Sequence, residues 1–148
     1  MRNLCVIIAV ALITLSCANN YYTGNKTEDA LIKQVDEKLH YNDSAYKVWS
    51  KMMRHGDSIV SYATNRSTNQ LITLALAEKK TSRRTFYYLV NGELVKVQYF
   101  PKPGNISNFY FFDGGGTLLY KRQRIDDSTG HEKFLGDIIS LKRSYGVH

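Results

Sequence analysis

Asp126, Asp127 and His131 lie within the stretch DDSTGH, a local cluster of acids and an imidazole. A carboxylate that orients an imidazole can make it a general base, so a small hydrolase would carry its chemistry here. Turn formation and helix capping explain the same composition without chemistry. The other histidines, His40, His55 and His148, have no paired ligand spacing and no cysteine partners, so no metal site is expected. Gly114-Gly115-Gly116 is followed by neither Gly-Lys-Ser/Thr nor a helical pattern, which makes it a hairpin turn and not a phosphate loop. No Gly-x-Ser-x-Gly nucleophile motif occurs. The residues imply no cofactor, and the expectation is a protein that is not an enzyme.

Cys17 is the remaining reactive candidate, and its neighbours decide its role. It follows an uncharged apolar run from Leu4 to Leu15, too short for the ~20 residues that span a bilayer. Arg2 supplies a positive start and small residues follow the run, the order of an export signal. Thr14-Leu15-Ser16-Cys17 resembles the lipobox of bacterial lipoproteins, although that motif prefers leucine where Thr14 stands. Loose lipoboxes ending in Ser-Cys, a short chain and an Asn/Tyr-rich mature start resemble Bacteroidota-like lipoproteins. The resemblance covers about the first twenty residues and implies a signal peptide over 1–16, lipidation of Cys17, and residence at the outer membrane or cell surface. Two other readings stay open: cleavage after Ala18, which gives a soluble secreted form, and an uncleaved anchor that leaves Cys17 as an odd thiol.

Roughly 130 residues then remain, enough for one domain with a hydrophobic core. With at most one cysteine in the mature chain, no disulfide framework can replace that core. Without Arg2 there are still 19 basic residues against 13 acidic ones. Such a balance suits anionic lipid or acidic glycan, or simply a soluble basic surface; nucleic acid is not an expected partner of an exported protein.

The pattern over 17–26 is that of a flexible tether, with a single α+β domain over 27–148. Thr27 looks like an N-cap, and Leu31, Val35 and Leu39 predict a helix over Glu28–His40. After the interruption YNDS, a second helix is expected over Ser44–Arg54, ending at Gly56. Period two then predicts six strands: Ser58–Thr64, Leu71–Lys79, Thr85–Val90, Glu93–Phe100, Ser107–Phe112 and Thr117–Ile125. Asn91-Gly92 signals a type I′ hairpin. Phe134, Ile138, Leu141 and Tyr145 predict a C-terminal helix over His131–Ser144.

The segments FYYLVNGELVKVQ from Phe86 and FYFFDGGGTLLYKRQ from Phe109 repeat one order of aromatic strand, glycine turn and aliphatic strand with a basic end. Two such hairpins suit an antiparallel meander. They loosely resemble the sheets of small periplasmic inhibitor-like or PepSY-like proteins, without a motif that would carry a function over.

Alternation places Phe86, Tyr88, Phe109 and Phe111 on one set of positions and Tyr87, Tyr110 and Phe112 on the other, so both faces of the sheet are apolar. Burial of both is the plainer outcome, since these residues fill sheets routinely. If instead helices cover the phenylalanine face, Tyr87 and Tyr110 point outward beside Lys121, Arg122 and Arg124, and the five form a candidate binding surface for a glycan or an envelope protein. The function expected is therefore non-enzymatic binding or assembly at the envelope. A hydrolase at His131 with Asp126 and Asp127, and a secreted inhibitor-like module, are the alternatives.

Overall fold

The computed structural model describes residues 25–45 and 48–147, without the side chains of 41–45 and 48–51. The signal segment, Cys17 and most of the expected tether lie outside the described residues. Two compact units divide between Gln34 and Val35. That division falls inside the first helix, α1, Lys26–Ala45.

Helix α1 starts earlier than its apolar spacing predicts because Asn25, and not Thr27, caps it. The Asn25 side-chain oxygen accepts the backbone N–H of Thr27 at 3.1 Å, leaving Glu28 and Asp29 in the first turn where the macrodipole favours them. It ends later too, running through Tyr-Asn-Asp-Ser to Ala45.

The expected second helix is a strand. β1 (Val48–His55) pairs antiparallel with β2 (Ser58–Asn65), and His55 stands opposite Ser58 across a two-residue turn. Gly56 has φ 56° and makes that turn instead of ending a helix. Val48, Met52 and Met53 fit helix or strand equally well, and hairpin pairing decides the matter.

The remaining strands are β3 (Leu71–Glu78), β4 (Arg84–Val90), β5 (Glu93–Phe100), β6 (Asn108–Phe112) and β7 (Leu118–Arg122). All seven described strands form one antiparallel sheet in sequence order. The sheet thus has one strand more than the alternation predicts. Asn91 and Gly92, at φ 53° and 79°, both hold the positive φ that the β4–β5 turn requires, with Val90 opposite Glu93. The aromatic hairpins are β4–β5 and β6–β7, joined through the β5–β6 pairing.

Helix α2 (His131–Tyr145) lies across one face of this sheet. His131 is near Phe112 of β6, Asp137 bonds Tyr87 of β4, and Tyr145 stacks on Tyr62 of β2. Phe134, Ile138 and Leu141, spaced by four and three, are its buried stripe. They close a core with Val60, Leu74, Leu89, Val97 and Phe112. Phe134 is wholly buried. It touches the rings of Tyr87, Tyr99 and Tyr110. Removing that ring should cost about 3–5 kcal/mol. Gly146, at φ 61°, ends the helix in the left-handed conformation.

Candidate functional site

The register brings Tyr87, Val97, Tyr110 and Lys121 into one row across β4 to β7. That row lies under α2. Tyr87 is 0% exposed and Tyr110 is 1%, so neither can meet a partner. The expected outward tyrosine surface is corrected here: the helix packs on the tyrosine face and not on the phenylalanine face. Tyr87 donates to Asp137 at 3.1 Å, and burial, reinforced by that carboxylate, pushes its phenol far above the ordinary tyrosine range. Burial and then Asp127 push the Tyr110 phenol upward as well.

The three cations of the expected surface are not gathered. Lys121 is exposed on the tyrosine row, and Arg122 pairs with Phe109 and so projects to the opposite side. Arg124 lies beyond the end of β7, where its backbone N–H donates to the buried side chain of Asn108 at 2.8 Å.

His131 has the Glu132 carboxylate 3.4 Å from Nε2. Asp127 accepts the backbone N–H of Thr129 at 2.8 Å, a turn contact that helps hold its carboxyl below the usual range against the opposing effect of burial. His131 and Asp127 thus meet different partners, Glu132 for the imidazole and the Thr129 backbone for the carboxylate. Among the described residues no three His, Cys, Asp or Glu side chains come together as a metal cluster, and no helix is long and apolar enough to cross a membrane. Gly114-Gly115-Gly116 forms the β6–β7 turn, with Asp113 Oδ1 accepting the Thr117 N–H at 3.0 Å.

A different place combines a cleft with clustered cations. At the end of the sheet where β3 runs into β4, a cleft of about 370 Å³ opens between the Ser82-Arg83 turn and the Pro103-Gly104 loop. Ala77, Glu78 and Arg84 complete its wall. Arg84 stands opposite Phe100 in the ladder, and its guanidinium lies 4.6 Å from the centre of that ring. Phe86 meets Phe100 edge-on at 5.9 Å and holds the platform. One Arg84 amine donates to the carbonyl of Gly104 at 2.6 Å. The guanidinium is thus stacked above the ring and bonded at one corner, and a neutral carbonyl is its one hydrogen-bond acceptor among the described residues.

Other charges surround this end. Lys79 and Lys80 lie in the β3–β4 turn, and Lys80 is paired with Asp57 at 2.5 Å. Glu78 accepts from the hydroxyl of Thr81 at 2.7 Å. Arg83 and Lys102 both act on the charge of Asp127. The run Lys79-Lys80-Thr81-Ser82-Arg83-Arg84 is a six-residue basic segment whose density could have marked this end from sequence. What the run could not reveal is that Pro103 and Gly104, twenty residues away, form the opposite wall.

No protein-family model matches the chain, and no curated protein or solved structure matches it.

Proposed function

We propose that this is an exported protein, lipidated at Cys17 and held at the outer membrane or cell surface, that binds an envelope partner and performs no chemistry on it. The uncharged run ending in Ser16-Cys17 supports the anchor. The observation that carries the binding role is the guanidinium of Arg84, stacked on Phe100 in the wall of an open cleft, with the Gly104 carbonyl as its hydrogen-bond acceptor among the described residues. A cation held in this way binds an anionic group without ordering a flexible side chain first. The site of binding is thus the β3–β4 end of the sheet, in place of the Tyr87 and Tyr110 row.

Two experiments test the proposal. Cys17→Ser should release the protein from the membrane fraction, and mass spectrometry of the mature wild-type N-terminus should find acyl chains on Cys17. An unmodified Asn19 start would establish the secreted form instead. Cross-linking in intact cells should capture an envelope component, and Arg84→Gln should lose it while the melting temperature holds.

A further inference from the structure

We infer that the Arg84 cleft takes a carboxylate-bearing sugar residue, a uronic acid of an acidic glycan. This deepens the binding role proposed above and rests on it.

Charge sets the type of anion. Arg83 and Arg84 stand with Glu78 in the cleft wall, so cations outnumber the carboxylate there and an anion is favoured. The Glu78 carboxylate in that wall repels a phosphate or sulfate dianion more strongly than a monoanion. The planar guanidinium fork has donors beyond the one spent on Gly104, and two parallel N–H groups suit a planar carboxylate.

Shape and topology set the class of molecule. A volume of about 370 Å³ is near the lower end of the roughly 300–1,000 Å³ typical of small-ligand sites. The methyl of Ala77 and the ring of Pro103 offer flat apolar wall, and the Ser82 hydroxyl and local backbone groups offer hydrogen bonds. A pyranose ring has this division, C–H groups on its faces and hydroxyls on its rim. An acidic peptide is the weaker fit. Peptides dock by adding a strand or by seating side chains in apolar pockets. Both β3 and β4 are interior strands, paired on each side, so no strand edge opens into the cleft.

The test is calorimetry on the full chain in detergent, titrated separately with oligogalacturonate, a neutral oligosaccharide of equal length, inorganic sulfate and a glutamate-rich peptide. Oligogalacturonate should bind, and the neutral sugar should not. Arg84→Gln should weaken that binding about tenfold or more, Arg84→Lys should restore only part of it because the planar fork is lost, and Lys121→Gln should leave it intact. Equal weakening by Arg84→Gln and Lys121→Gln would reduce the effect to net charge and overturn the inference. Sulfate or the acidic peptide binding as tightly as the uronate would overturn it too. If oligogalacturonate fails while cellular capture still depends on Arg84, only the ligand class falls; if capture is also indifferent to Arg84, the binding role of the cleft falls with it.

Discussion

Tyr87 on the sheet and Asp137 on α2 share a hydrogen bond of 3.1 Å, with the phenol donating to Oδ2. Lys133 reaches the same oxygen at 2.6 Å from one helical turn away. The carboxylate thus ties the helix to the middle of the sheet while keeping a charge partner on its own element. A wholly buried phenol would otherwise be an unpaired donor, which costs about 1–3 kcal/mol.

Tyr87→Phe should accordingly keep the fold and lose about 1 kcal/mol, because the ring still packs on Phe134 and Asp137 still has Lys133. Tyr87→Ala should lose about 3–5 kcal/mol, the cost of a large cavity. Urea unfolding measures both. Wild-type stability in Tyr87→Ala would mean that this ring is not core.

Alkaline pH should weaken the fold from about pH 10 upward. The phenols of Tyr87, Tyr110 and Tyr145 are all raised, burial being the first cause in each. A raised pKa means that the folded state holds its proton more tightly than the unfolded chain does. The stabilising contribution is then full below the unfolded tyrosine value of about 10 and is lost as pH climbs from there toward the folded value. Urea midpoints at pH 9 and pH 11 should differ less in Tyr87→Phe than in the parent. An identical drop in both would remove Tyr87 from the effect.

The two ends of the chain's pattern were unequally readable. Asn91-Gly92 and the spacing of Phe134, Ile138 and Leu141 each carry their structural meaning locally, and hairpin and helix stand where these residues place them. Val48–His55 does not, because its apolar residues satisfy either period and only the partner strand Ser58–Asn65 selects one. The orientation of the sheet is a further step removed. Alternation separates Phe86 from Tyr87 but contains nothing that says which side α2 will cover. The candidate site depends on the least local fact of all, the approach of Arg84 to Gly104 across twenty residues.

Gly92→Val should destabilise the domain by about 1 kcal/mol or more. Gly92 sits at φ 79°, where a β-branched residue is strained. Asn25→Val, by contrast with a truly unstructured position, should cost about 1 kcal/mol of helix stability, since Asn25 caps α1. Thermal unfolding followed by circular dichroism reads both, and a Gly92→Val variant melting with the parent would contradict the hairpin geometry.

The pair Lys96 and Asp36 should respond differently depending on which partner is removed. Lys96 lies on the phenylalanine face with its side chain 7% exposed, and its ammonium donates to Asp36 at 2.8 Å. The rings of Tyr88 and Phe111 each stand 5.6 Å from the same nitrogen. Asp36→Ala takes away the carboxylate that meets this ammonium, and the two rings offset only part of that loss, about 0.5–1 kcal/mol each. Because the Asp36 side chain is 41% exposed, water screens the remainder, and the net cost should be about 2 kcal/mol, short of what a fully buried pair would show. Lys96→Met removes the charge together with its desolvation cost and keeps an unbranched apolar chain between the two rings, so it should cost less than Asp36→Ala. Denaturant unfolding of the two single variants and the double variant decides the question: Asp36→Ala on the Lys96→Met background should be nearly silent. If Asp36→Ala costs the same on both backgrounds, Asp36 acts on the helix alone and its bond to Lys96 contributes nothing to the fold.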